Sequence, residues 1–192
     1  MTRTSHIERP AATLLPALVG LVAILLSPPA SIHAQCDYDW LPGAGLPGVD
    51  GVVSAMIEWD PDGDGPQSEI LVVGGGFEAA GNVLTRNAAA WDGTRWRAMD
   101  NGLNTKGVTA LCVHNGQLFA GVYEDYYELP SRVLRWDGIE WQAVGNVTRG
   151  SLIAYVSAFA SYKGNLVIAG SFSEVDGVSL SGFATWDGQS WQ

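Results

Sequence analysis

Short apolar runs, broken by glycine and small polar pairs, fill the chain from about residue 50 to its end. Within the runs apolar and polar positions tend to alternate, as along Val108–His114, which is the period of a half-buried β-strand. No segment after residue 35 keeps the 3.6-residue apolar period of a helix over several turns. The pattern therefore predicts an all-β chain.

The N-terminal end has a different pattern. Two arginines precede an uninterrupted apolar stretch at residues 14–26, which is too short to cross a bilayer, and Ala34 offers a small residue at a cleavage position. We predict a signal peptide at 1–34 and export of 35–192 to a secreted, periplasmic or cell-surface location. A retained anchor, or lipid attachment at Cys36, is the alternative. We predict no membrane span in the mature chain.

One hexapeptide, W-D-G-x-x-W, occurs three times, with the copies 45 and 50 residues apart. Recurrence in phase is the signature of a repeat architecture. We interpret its shared positions as structural, since a tight turn flanked by two tryptophans is a packing unit. These positions are Trp91, Asp92, Gly93, Trp96, Trp136, Asp137, Gly138, Trp141, Trp186, Asp187, Gly188 and Trp191.

Each repeat reads as four short antiparallel strands, and the repeats cover about 41–96, 97–141 and 142–191. In the middle repeat Asn115-Gly116 predicts a tight hairpin turn, and Lys163-Gly164 takes that place in the third. The predicted strands of the middle repeat are Val108–His114, Gln117–Val122, Arg132–Trp136 and Glu140–Val144.

An apolar strand, a glycine doublet, a phenylalanine (Phe77 in the first repeat) and a trailing tryptophan pair together resemble the Kelch-type propeller blade. The longer string from Gly74 through Ala90 to Trp96 is more similar still to repeats of the Rax2-like family and of large secreted bacterial proteins. The resemblance covers about 40–192. It implies a β-propeller in an extracellular setting and implies no reaction.

Three blades are too few for a closed ring, since propellers usually have four to eight. The expected fold is therefore a partial β-propeller of three four-stranded blade-like repeats, with apolar faces uncovered at both ends. Three explanations stay open: a piece of a longer propeller with further blades missing, a homodimer in which two sets of three make six, or a loose curved stack.

One segment matches half of a calcium loop. Asp60, Asp62 and Asp64 alternate with proline and glycine, as the first carboxylates of such loops do, but Leu71 stands where the closing glutamate belongs. The same segment replaces a hairpin turn of the other repeats. It is therefore either a Ca²⁺ site or an extended exposed turn. We predict no other cofactor.

Candidate catalytic residues are scarce. After the leader, His114 is the only histidine, which excludes a multi-histidine zinc or copper site, and we assign it no catalytic role. The predicted function is a non-catalytic extracellular or cell-surface module that binds or scaffolds a protein or glycan. The alternative is a propeller-type hydrolase or lyase that acts on glycans through acidic residues.

The net charge bears on the class of binding partner, and the two cysteines bear on whether a disulfide forms. The formal net charge is −10, which argues against a nucleic-acid partner. The acidic and aromatic segment 124–128 suits a cationic or carbohydrate partner, or is an irregular loop without a role. Cys36 and Cys112 could form a disulfide after export, or Cys112 is a buried free thiol.

Overall fold

The computed structural model describes residues 48–99, 103, 105–124 and 129–192. The predicted signal peptide, Cys36 and most of the 124–128 segment lie outside these residues. Within them, no helix is present that could cross a membrane.

The described residues form antiparallel strands joined by short turns. Their bounds are β1 Val52–Trp59, β2 Ile70–Gly76, β3 Ala79–Ala80, β4 Val83–Leu84, β5 Ala88–Trp91, β6 Trp96–Ala98, β7 Gly107–His114, β8 Gln117–Tyr123, β9 Ser131–Trp136, β10 Trp141–Thr148, β11 Tyr155–Tyr162, β12 Asn165–Ser171, β13 Glu174–Val175, β14 Val178–Ser179 and β15 Phe183–Trp186.

Each repeat builds one antiparallel sheet. The first sheet has the order β1-β2-β5-β6, the middle sheet is built on β7-β8-β9-β10, and the third sheet has the order β11-β12-β15. Trp191 adds an isolated bridge to Trp186 at the outer edge of the third sheet. The all-β prediction is confirmed, and none of the described sheets closes on itself.

The prediction of four strands per repeat holds in the first sheet and is wrong in the other two. The third sheet has three strands and an isolated bridge, and the middle sheet has six strands. The hairpin β13–β14 comes from the third repeat but pairs with β10, where Val147 lies opposite Val175. In the first repeat the hairpin β3–β4 is placed alike, through a bridge between Val49 and Ala80. In both repeats the connection after the second strand therefore pairs with the segment that lies just before the first strand.

The two predicted hairpin turns are confirmed. Asn115 and Gly116 have φ of 50° and 76°, and Lys163 and Gly164 have φ of 50° and 82°. Two consecutive positive φ angles define the type I′ turn, which matches the twist of the strands it joins. Lysine therefore adopts in the third repeat the conformation that asparagine adopts in the middle one.

A bulge recurs in the first strand of every repeat. It lies at Ser54, Thr109 and Ser157, each just after a valine. After the bulge, the alanines of the three strands pair with Gly74, Gly121 and Ala169 respectively. The register thus aligns the repeats residue by residue, and it places an alanine in the third repeat where the other two have glycine.

Those glycines let neighbouring sheets approach. A Cβ on Gly74 would lie 2.6 Å from a methyl of Val108, and a Cβ on Gly121 would lie 3.0 Å from the Cβ of Val156. Each valine precedes the bulge of the following sheet and is at most 1% exposed. The sheets therefore stack in chain order, and β7 packs between β1 and β11.

Replacing Gly74 with alanine is expected to lower the free energy of unfolding by about 1–3 kcal/mol, because the new methyl overlaps the buried Val108 side chain. The urea midpoint measures this. Gly48→Ala is the control, since a Cβ there meets nothing within 4 Å, and its effect should stay within about 0.5 kcal/mol. Equal effects of the two substitutions would contradict the packing described.

Candidate functional site

The aspartate of each W-D-G-x-x-W hexapeptide organises its own turn. Asp137 Oδ1 accepts hydrogen bonds from the amides of Ile139 and Glu140, at 2.9 and 2.8 Å. The following Gly138 has φ of 103°, a conformation that side chains rarely adopt. The other two copies repeat the carboxylate contacts and the glycine conformation.

The two tryptophans of each hexapeptide lie beside each other across the turn. The ring centroids are 5.3 Å apart in the first and second copies and 6.2 Å apart in the third. Trp191 Nε1 also donates to the carbonyl of Val144, at 2.8 Å, and so ties the third sheet to the middle one. The hexapeptide therefore joins strands and sheets.

These carboxylates are held in their charged form. The side chain of Thr94 and the amide of Arg95 lower the pKa of Asp92. The backbone amides of Glu140 and Ile139 lower the pKa of Asp137. The backbone amides of Ser190 and Gln189 lower the pKa of Asp187 in the same way. Such groups do not retain a proton at neutral pH, so they are poorly suited to serve as the general acid of a glycosidase.

The acidic loop, residues 60–65, forms an exposed turn beyond β1. The amide of Asp62 donates to Asp60 Oδ1, and the amide of Gln67 donates to Asp62 Oδ2, both at 3.2 Å. Among the described residues no three acidic, histidine or cysteine side chains form a group that could hold a metal ion. The calcium site at Asp60, Asp62 and Asp64 stays a prediction.

His114 is buried between the middle and third sheets and is 5% exposed. Its Nδ1 lies 2.9 Å from Ser161 Oγ, and its Nε2 lies 3.1 Å from the side-chain amide nitrogen, Nδ2, of Asn115. An amide nitrogen only donates, so Nε2 accepts and the ring proton sits on Nδ1, which donates to the hydroxyl. In this arrangement His114 does not act as a base towards Ser161.

Cys112 and Glu124 also lie in packed surroundings. Cys112 carries a free, partly buried thiol, and burial raises its pKa; Cys36 lies outside the described residues. Glu124 is buried and pairs with Arg132 at 2.9 Å, while the rest of the 124–128 segment also lies outside them.

A groove of about 550 Å³ lies between the first and middle sheets. Its apolar lining comes from both sheets. Trp59 Nε1 donates to the carbonyl of Gly116 at 2.9 Å, which joins the two sheets beside it. The groove is lined among others by Trp59, Pro61, Ile70, Met99 and Trp136, and by the polar residues Gln67, Arg97, Gln117, Arg135 and Asp137.

One group in the groove lining is unsatisfied. Arg135 Nε is buried and has no hydrogen-bond partner in the described part of the chain. The motifs did not identify this groove, because its walls come from two repeats and no single segment contains it. Two sequence signals lie in the groove lining: the insertion that carries the acidic loop, with Pro61 and Gln67, and the second hexapeptide, with Trp136 and Asp137.

Comparison with known proteins does not assign the chain to a family. No protein-family model matches the chain, and the searches of curated proteins and of solved structures found no significant match. The resemblance to Kelch-type and Rax2-like blades therefore stays a prediction.

Replacing Asp92, Asp137 and Asp187 together with asparagine is expected to lower the thermal midpoint at neutral pH. The folded pKa values are lowered, so the stability that the carboxylates contribute is present above their unfolded pKa of about 3.9. It is lost as the pH falls below that value towards the folded pKa. The difference between the variant and the parent protein should therefore shrink at acid pH.

Thermal denaturation from neutral pH down to about pH 3 measures this difference on both sides of the unfolded pKa. The matched control replaces the three aspartates of the acidic loop with asparagine, which removes the same formal charge from an exposed turn. A difference that stays constant with pH would show that the ionisation of these carboxylates does not contribute to stability. An equal difference in the control would show that net charge and not the turn contacts is responsible.

Proposed function

We propose that this chain is a non-catalytic, exported binding module with propeller-like blades, and that it binds a glycan in the groove between its first two sheets. The observation that carries the proposal is the groove itself. Aromatic surface and several hydrogen-bonding side chains converge there within about 550 Å³, the combination that is typical of ligand sites.

The stacking of the sheets supports the propeller-like part of the proposal. The first strands of the three repeats, β1, β7 and β11, lie side by side, and successive strands of each repeat follow outwards from them. Neighbouring blades of a propeller are arranged in this way. The predicted leader, residues 1–34, supports export.

Sugar chemistry suits the lining of the groove. A pyranose ring presents an apolar face, which packs on aromatic side chains such as Trp136, and an equatorial rim of hydroxyls that need hydrogen-bond partners. The amides of Gln67 and Gln117 supply both donors and acceptors, and Arg97 and Arg135 supply donors. A neutral or acidic sugar therefore fits better than a cationic ligand.

The protein is expected to bind one class of glycan on an array, and Gln67→Ala combined with Gln117→Ala should weaken that binding by at least about tenfold, the loss expected from two hydrogen bonds. Calorimetric titration of the best glycan measures the change. Asn165→Ala is the matched control, because Asn165 occupies in the third repeat the position of Gln117 and does not line the groove.

Two outcomes would overturn the proposal. One is binding that the groove variant and the Asn165 control change equally, which would place the ligand elsewhere. The other is turnover of the bound glycan, which would favour the hydrolase or lyase alternative.

A further inference from the structure

The aligned repeats show which faces of the sheets lack a neighbour. We call the side of each sheet that turns towards the following repeat its front face and the opposite side its back face. The front faces of the first and middle sheets carry Gly74 and Gly121, which receive valines from the next sheet. The front face of the third sheet receives no other described sheet. On the back face of the first sheet, Phe77 and Ala80 pack against Val73 and Ala89 of β2 and β5, whereas the β1 part of that face receives no described sheet.

The front face of the third sheet exposes large side chains at positions that are buried in the other sheets. Tyr162 is 60% exposed, whereas its counterparts Trp59 and His114 are 7% and 5% exposed. Phe183 is 57% exposed, whereas the residues at its place in the other two sheets are fully buried. Among the described residues, the third sheet thus carries an exposed apolar face at Tyr162 and Phe183, which we call the free front face.

The back face of the first sheet shows the same contrast. Val53 precedes the bulge in β1 and is 36% exposed. Its counterparts Val108 and Val156 are 1% and 0% exposed, because each packs against a glycine of the preceding sheet. Met56, on the same face, is 66% exposed. The first sheet therefore presents the inserting side chains of a contact that the molecule already makes twice.

We propose that the free front face binds the free back face of a second copy of this chain. The contact would continue the two interfaces inside each molecule, with Val53 of one copy on the Ala169 position of the other. When both copies use both faces, a closed head-to-tail dimer forms with two identical interfaces. This inference does not depend on ligand binding in the groove.

The polar contacts that join neighbouring sheets support the same pairing. His114 on one front face meets Ser161 on the next back face at 2.9 Å. The pairing registers place Tyr162 at the position of His114, and Glu58 at the position of Ser161. In the dimer the Tyr162 hydroxyl and the neighbouring Lys163 ammonium would therefore face the Glu58 carboxylate, a complementary set of donors and acceptor.

Ala169 makes the proposed contact looser than the internal ones. A methyl on Gly121 would lie 3.0 Å from the Cβ of Val156, so the same methyl on Ala169 holds an incoming Val53 a few tenths of an ångström further away. Ala169→Gly removes this obstacle. We expect it to strengthen association, which is a gain that a purely structural role of Ala169 would not produce.

The test is sedimentation equilibrium on the purified protein over a range of concentrations. The parent chain should show a monomer–dimer equilibrium, and Ala169→Gly should tighten it. Val53→Lys and Phe183→Lys should each weaken it by at least about tenfold, because each places a charge in an apolar contact. Ile139→Lys is the control, since Ile139 is 80% exposed in a turn of the middle sheet and lies on neither free face.

Mixing the two weakened variants tests the head-to-tail geometry. Val53→Lys keeps an intact front face and Phe183→Lys keeps an intact back face, so the mixture should recover one sound interface and form a heterodimer. Circular dichroism confirms that each variant is folded. A parent chain that stays monomeric at all concentrations, or variants that do not recover on mixing, would overturn the proposal.

Discussion

The contact of a valine from one sheet with a glycine of the sheet before it sets the spacing of the whole stack. Val108 lies on Gly74 and Val156 lies on Gly121, and in both cases a bulge directly after the valine fixes the register. The close approach brings β1, β7 and β11 side by side and leaves room further out for the groove beside Trp59. The groove is thus a consequence of how the sheets pack.

The hexapeptides stabilise turns and contacts between strands, whereas the valine–glycine contacts set the spacing of the sheets. Their aspartates organise turns within each repeat through backbone amides, whereas their tryptophans act across strands and, at Trp191, between sheets. A local motif and a tertiary contact are combined in six residues. This combination explains why the hexapeptide recurs intact even where the strands around it differ, as in the glycine and alanine positions of Gly121 and Ala169.

Much of the fold could be predicted from the sequence, because strand alternation and turn residues act locally. The turns at Asn115-Gly116 and Lys163-Gly164 and the strands of the middle repeat lie close to where the pattern placed them. The pairing of β13 with β10 could not be predicted, since a two-residue strand carries no period. The groove was missed for a related reason: Gln67 and Gln117 meet only after two repeats have stacked.

The hairpin β13–β14 also has a consequence for folding. Because it pairs with β10, the outer edge of the middle sheet remains open during synthesis until Glu174–Ser179 has left the ribosome. Backbone hydrogen bonds then join the connection within the third sheet to the middle sheet, so neither sheet can open fully without disturbing the other. We therefore expect the middle and third sheets to unfold together, since they share a strand ladder in addition to a packing interface.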